Sequence, residues 1–158
     1  MKNSILVAIN GPPAAQPRAR TGKYGNFYTP SKRIQVWKEY IAVALMDKIP
    51  EKPWEGPISV SMSFYMQRPK RMLKKMSPDG ELWHTQKPDI DNLEKAVLDV
   101  CTTQGVWVDD CQVCYTSIRK YWMTKDGSPG MFLAIRPMEE QEELDEDEVV
   151  VWVSGGGG

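Results

Sequence analysis

Apolar residues along this chain recur with two periods, and the switches between them lay out its elements. The run Ser4-Ile5-Leu6-Val7-Ala8-Ile9 predicts a first strand. Residues 10–30 lose the periodicity: Gly and Pro are frequent, and Arg18, Arg20, Lys23, Tyr24, Phe27 and Tyr28 make the stretch basic and aromatic at once. A loop of that length is more often functional than idle. Ser31 stands where an N-cap belongs. Ile34, Trp37, Ile41, Ala44 and Leu45 follow at helical spacing, so a helix is predicted over about 31–48, closed off by Pro50, Pro53 and Pro57. From 58 to 66 the period falls to two. Ile58, Val60, Met62 and Phe64 alternate with Ser59, Ser61 and Ser63, which predicts a half-buried strand.

A basic loop carrying Arg68, Lys70, Arg71, Lys74 and Lys75 runs on to Pro88. Helical spacing returns over about 91–103, with Leu93, Ala96, Val97 and Val100 as the apolar face and Gly105 placed to end the helix. Residues 111–123 and 131–136 read as two strands, and Asp126-Gly127-Ser128-Pro129-Gly130 between them predicts a hairpin. The order β-α-β-α-β-β describes an α/β domain of mixed α+β type, a small mixed sheet of about four strands with two helices. No internal repeat is present.

Composition narrows the class. With 158 residues, 41% hydrophobic and 26% charged, the chain has the size of one ordinary domain with a real core. Its apolar runs fall short of the roughly 20 residues that span a bilayer, and the N-terminus lacks the apolar length and small-residue site of a signal peptide. Three cysteines argue against a secreted disulfide scaffold. The expectation is a soluble, cytoplasmic protein. The formal net charge of −1 conceals a division. All 20 Lys and Arg lie before residue 138, with 13 acids, a surplus of seven positive charges; the other eight acids fall between Glu139 and Glu148. A basic body suits a polyanion such as nucleic acid, although a solvated surface with a solubilising tail has the same arithmetic. The domain is therefore read as residues 1–138, and 139–158 as a flexible acidic tail in which residues 149–153 have the composition of a short docked strand.

The chemistry concentrates in Lys87-Pro88-Asp89-Ile90-Asp91-Asn92-Leu93-Glu94-Lys95. Pro88 keeps the segment extended up to the helix, so Asp89 and Asp91 are expected to point the same way. Asp91 occupies the expected N-cap position with Glu94 in the capping-box place, and Lys95 and Asp99 follow at one-turn intervals. Further on, Gly105-Val106-Trp107-Val108-Asp109-Asp110 ends an apolar piece with two more acids. Carboxylates brought together repel and raise one another's pKa, a cost that a divalent cation removes. Mg²⁺ favours carboxylate oxygens and pairs naturally with phosphate, and a lysine alongside stabilises charge that builds up in a transition state. Each feature also has a plain structural meaning: a helix cap, a surface ion-pair stripe worth about 0.3–0.5 kcal/mol per pair, a turn.

The run from Lys87 to Asp99, followed by Gly105-Val106-Trp107-Val108-Asp109-Asp110-Cys111-Gln112-Val113, resembles the RusA family of Holliday junction resolvases. The D-x-D-N-x-x-K core with the D-D pair at this spacing covers about 25 residues, and the flanking plan is similar. The resemblance implies a homodimeric, Mg²⁺-dependent endonuclease, with Mn²⁺ as a substitute, of a bacterial or phage-infected cell. It would resolve four-way DNA junctions in recombination and repair by paired symmetric nicks that leave 5′-phosphates. Carried over by position, Asp89, Asp91 and Asp110 are the metal-binding catalytic acids and Lys95 the catalytic lysine. Asp109 and Asp99 are supporting, with Asp99 expected to orient Lys95. Arg18, Arg20, Lys23, Arg68, Lys70, Arg71, Lys74, Lys75 and Lys87 are the expected DNA contacts. The arginine run that the family places before the first aspartate is replaced here by Trp83-His84-Thr85-Gln86-Lys87. That opens a broader branched-DNA or flap nuclease as an alternative. A non-catalytic branched-DNA binding module, whose acids only cap and pair, and a metal-dependent phosphohydrolase on small substrates, against which the basic excess argues, are the others.

Other residues are read more plainly. Tyr24, Phe27 and Tyr28 are expected to pack on the body rather than wedge between bases. His84 is read as a surface-loop residue. Cys111 and Cys114 do not form a zinc pattern with Cys101 and His84, and are read as small core residues. Trp37 and Trp107 are the candidates for a dimer interface, and the acidic tail is a candidate docking segment for a protein partner.

Overall fold

Strand Ile58–Met66 sets the architecture. Its bulky residues Ile58, Val60, Met62 and Phe64 face one way and its serines the other, and both rows are buried. In the computed structural model, which describes residues 4–16 and 31–144, this strand is the centre of a five-stranded sheet. The elements are β1 (Ile5–Asn10), α1 (Lys32–Leu45), β2 (Ile58–Met66), β3 (Leu82–Trp83), α2 (Ile90–Gln104), β4 (Val113–Trp122) and β5 (Gly130–Pro137). The sheet order is β1-β5-β2-β4-β3. Arg18, Arg20, Lys23, Tyr24, Phe27 and Tyr28, and residues 145–158 of the tail, lie outside the described residues.

The fold class is as expected, a mixed sheet with two helices, but with five strands rather than four. Two readings of the strands are corrected. β2 is buried on both faces because it is flanked by β4 and β5, so Ser59 and Ser63 lie beside Arg136, Tyr115, Phe132 and Arg119, whose larger side chains shield them. The expected hairpin does not form. β4 runs parallel to β2, as a β2–α2–β4 crossover requires, and β5 pairs antiparallel with the opposite edge of β2. The turn at 126–130 thus carries the chain across the end of β2, where the Met123 amide donates to the Met66 carbonyl at 3.0 Å. β1 then closes on β5. Gly130 permits that approach, since a Cβ there would stand 2.3 Å from the Ile9 carbonyl oxygen.

Both helices contribute to one core with the inward row of the sheet: Ile34, Trp37, Ile41 and Leu45 from α1, and Leu93, Ala96, Val97, Val100 and Cys101 from α2. Each fully buried large aliphatic side chain is worth roughly 1.5–3 kcal/mol. Trp37 and Trp107, expected at an interface, are core residues with 1% exposure; the Trp107 Nε1 donates to Thr102 Oγ1 at 2.8 Å. α2 ends as the sequence indicates. Gly105 takes the left-handed conformation at φ 82°, and the Val106 amide returns to the Cys101 carbonyl at 3.0 Å. Ser31 is the N-cap of α1 by backbone geometry, without a side-chain cap bond. The first acidic residues after the domain are attached to it, since Arg136 Nη1 reaches both carboxylate oxygens of Glu142 at 3.0 Å. Among the described residues no helix is long and apolar enough to cross a membrane.

Candidate active site

Helix α2 begins slightly earlier than its sequence suggests. Asp89, not Asp91, is the N-cap by backbone geometry, and the Leu93 amide donates to the Asp89 carbonyl at 3.1 Å. Neither the cap nor the expected capping box uses a side chain: the Asp89 carboxylate makes no cap bond, and Glu94 lies too far into the helix to return to it. The cause is Ile90, which adopts helical geometry and draws Asp91 into the first turn. Asp89 and Asp91 are therefore not two residues of an extended segment. They are exposed carboxylates at the helix start, where the amide dipoles favour negative charge. Half-burial and the Asp91 charge hold the Glu94 carboxyl above its ordinary range.

Asp109 and Asp110 occupy a separate turn. Asp109 caps a short 3-10 turn, Asp110–Gln112, by accepting from the Cys111 amide at 2.9 Å. Gln112 completes the reciprocal capping box that the sequence suggested for α2. Its Oε1 accepts from the Val108 and Asp109 amides, both at 2.9 Å, while its Nε2 donates to the Trp54 and Gly56 carbonyls at 2.8 and 3.0 Å. One amide side chain is thus fully satisfied and ties the aspartate turn to the segment before β2. The two neighbouring carboxyls divide their charge. Backbone and side-chain hydrogen bonding from Cys111 holds Asp109 below its ordinary value, while the hydrogen bond with Asp109 raises Asp110, aided by burial and the Asp99 charge and opposed by Lys95.

The structure therefore sorts the expected residues into two pairs. Asp89 and Asp91 stand at the start of α2. Asp109 and Asp110 stand in the turn after it, where Asp110 feels Lys95 and Asp99 further along the same helix. Among the described residues, no three of His, Cys, Asp and Glu gather closely enough to hold a metal ion. Lys95 is exposed on the first turns of α2. Asp99 makes its ion pair with Lys38 of α1 at 3.9 Å, joining the two helices.

The expected DNA contacts divide as well. Lys70, Arg71, Lys74, Lys75 and Lys87 are exposed. Arg68 is not a surface contact: it is 2% exposed, and its guanidinium donates to the Met123, Met72, Pro78 and Gly80 carbonyls. It organises the basic loop from within. His84 is likewise buried rather than on the surface, its ring against Trp122 with centroids 4.2 Å apart. Burial, and then the Lys120 charge, depress its pKa below the ordinary 6.5. Cys111 and Cys114 are exposed, and only Cys101 is a core thiol, pushed up to about 12 by burial. The reason is local: Cys111 belongs to the capped turn and Cys114 to the outer side of the start of β4.

Sequence reasoning missed Gln112 and Lys120. Gln112 was marked by its spacing three residues after Asp109. Lys120 sits beside Phe64 on the inward row of β4, and its Nζ donates to the Gln86 and Pro88 carbonyls, each at 2.7 Å. An inward lysine in a strand was the only signal.

Known proteins are similar to this chain in sequence. The chain is similar to the uncharacterized protein YqaN of Bacillus subtilis (strain 168), 31% identical over 127 residues that cover 75% of this chain and 87% of that protein. Residues 10–136 match the family described as Endodeoxyribonuclease RusA, a span that takes in both helices, the central strand β2 and all four candidate aspartates. The chain belongs to the RusA family of endodeoxyribonucleases.

Proposed function

We propose that this chain is a Mg²⁺-dependent endonuclease that resolves four-way DNA junctions by paired symmetric nicks, leaving 5′-phosphates. The observation that carries the reading is the match of residues 10–136 to the RusA endodeoxyribonuclease family, with Asp89, Asp91 and Lys95 exposed on the first turns of α2. The Asp110 carboxyl, raised first by its hydrogen bond with Asp109, also feels the Asp99 charge and, in opposition, Lys95 on the same helix.

The donor set fits a hard divalent ion. Mg²⁺ commonly takes one or two carboxylates, keeps several waters and fills the remainder with phosphate oxygens, so either aspartate pair offers what one hydrated ion requires. Asp89 and Asp91 at the start of α2 are the proposed ligands, with Asp110 the third acid that the family resemblance implies although it stands in the other pair, and with Mn²⁺ as a substitute. When bound, the ion would neutralise the scissile phosphate and supply an activated water. The chain's own residues do the rest. Lys95 holds an ammonium group against the charge that accumulates on phosphorus. Gln112 fixes the turn that presents Asp109 and Asp110. Lys70, Arg71, Lys74, Lys75 and Lys87 hold backbone phosphates. A homodimer would present two such sites about a two-fold axis, as two opposed cuts in a two-fold junction require.

The test compares cleavage of a labelled four-way junction, a flap and plain duplex, with and without Mg²⁺. The expected result is junction cleavage that needs Mg²⁺, is lost in Asp91→Asn, and persists as binding in that variant. Junction binding with no cleavage in any metal would make the chain a binding module. Equal cutting of junction and flap would replace junction resolution by a broader branched-DNA activity.

A further inference from the structure

Segment 84–88 joins the edge strand β3 to the start of α2 and leads directly into Asp89. It has little secondary structure of its own, yet one residue of β4 holds it at three points. The Lys120 carbonyl accepts from the His84 amide at 3.0 Å, and the Lys120 ammonium donates to the Gln86 and Pro88 carbonyls at 2.7 Å each. The Pro88 carbonyl belongs to the residue immediately before Asp89. We propose that Lys120 is a positioning residue of the active site: by tying down the Gln86 and Pro88 carbonyls from the inward side of β4, it sets where Asp89 presents its carboxylate.

The chemistry of the contact is specific. Two carbonyls facing one point need a donor with more than one hydrogen, and an ammonium supplies three. Lys120 is half-buried, so water does not replace those bonds freely. Its stem lies beside Phe64, a rigid part of the core, so the grip is anchored in the central sheet rather than in the loop. Charge acts in the same direction. Burial depresses the Lys120 pKa, and the Asp89 charge opposes that depression from across the segment. The charged or titratable neighbours are Asp89 in front and His84 behind, the latter depressed in part by the Lys120 charge itself. With two of its three donors on the Gln86 and Pro88 carbonyls, Lys120 acts through Asp89, whereas Lys95 is the lysine proposed to meet the substrate.

This inference rests on Asp89 being a metal-binding carboxylate, so the experiment separates the two. Three proteins are compared without DNA: the wild type, Asp89→Asn and Lys120→Met, which keeps the aliphatic stem and removes the donors. Hydrogen–deuterium exchange is followed by peptide, and Mn²⁺ binding by titration calorimetry. In Lys120→Met, exchange in 85–91 is expected to rise about tenfold while β2 and β5 keep their protection, and Mn²⁺ affinity is expected to fall about tenfold, the usual scale for a group that orients a ligand. The Mg²⁺ concentration for half-maximal junction cleavage should rise by a similar factor. If Lys120→Met does not fold, Lys120→Arg, which retains a cation with several donors, carries the test with a smaller shift in the same direction. Unchanged Mn²⁺ affinity in a folded Lys120 variant, with Asp89→Asn strongly weakened, overturns the positioning role. Unchanged affinity in Asp89→Asn removes Asp89 as a ligand and the inference with it. Exchange that rises uniformly across the sheet would reduce Lys120 to a part of the core.

Discussion

Arg68 holds a full charge at 2% exposure with four backbone carbonyls gathered around it, from Met72, Pro78, Gly80 and Met123. Removing the guanidinium leaves those acceptors without a partner, and an unsatisfied buried group costs about 1–3 kcal/mol. Arg68→Met is therefore expected to lower the unfolding free energy by at least about 3 kcal/mol in urea titrations. Lys70→Ala and Lys74→Ala, on the same loop but exposed, should stay within about 0.5 kcal/mol of wild type. They should instead weaken junction binding and reduce the slope of log K against log salt by about 0.9 for each phosphate no longer neutralised. His84 makes the opposite kind of prediction, one of pH. Its pKa is depressed by burial and by Lys120, so the fold favours the neutral ring. The stability it contributes is complete above its ordinary pKa of 6.5 and is lost as pH falls through the lower, folded value. The urea midpoint of the wild type should therefore fall as pH is lowered from about 7.5, above the ordinary value, to about 5, below it. The drop should be smaller for His84→Phe, which keeps the stacking on Trp122 without a titrating group. Equal drops would assign the effect to other residues.

Elements show how far local pattern reaches. The aspartate turn depends on Gln112, whose side chain makes four hydrogen bonds and bridges 56 and 58 residues of sequence. Gln112→Ala is expected to destabilise the protein by about 2 kcal/mol or more, by urea titration. Junction cleavage should fall further than that loss alone explains, because the carboxylates of Asp109 and Asp110 are no longer held. Gln112→Glu keeps the two accepted bonds and loses the two donated ones, so it should lie between. β2, the two helices and the Gly105 stop were legible in the sequence because each rests on a local period or a single backbone conformation, but the start of α2 was not, since its N-cap is Asp89 rather than Asp91. Strand pairing was not. Whether β4 turns back onto β5 or both flank β2 depends on the crossover through α2, and the Asp126-Gly127-Ser128-Pro129-Gly130 turn reads the same in either case. The site divides along the same line. Asp89, Asp91, Lys95 and the Asp109–Asp110 pair lie in contiguous motifs and could be named as candidates. Arg68 in a run of lysines looks like surface, and its burial comes from carbonyls as far away as Met123. Lys120 grips a segment more than 30 residues distant, and no local pattern announces it.

At the scale of the molecule, charge is divided between a body with seven surplus positive charges in residues 1–138 and eight acids from Glu139 to Glu148. The boundary is physically joined, since Glu142 pairs with Arg136 at the end of β5. The last four acids, Asp145, Glu146, Asp147 and Glu148, are where self-screening of the DNA-binding face can be tested without disturbing that pair. A chain ending at Leu144 loses four negative charges and keeps Glu142. If the tail competes electrostatically with DNA, this truncation should bind plain duplex several-fold more tightly near physiological salt, with a steeper dependence on salt concentration. The gain should vanish near about 1 M salt, where the screening length is only about 3 Å. Cleavage at saturating junction and Mg²⁺ should be unchanged, because the aspartates and Lys95 are untouched. Fluorescence anisotropy on duplex and junction at several salt concentrations measures the first two effects, and single-turnover cleavage the third. Duplex affinity equal to wild type at every salt concentration would leave the tail a solubilising segment. A loss of junction binding alone would make it part of the recognition surface.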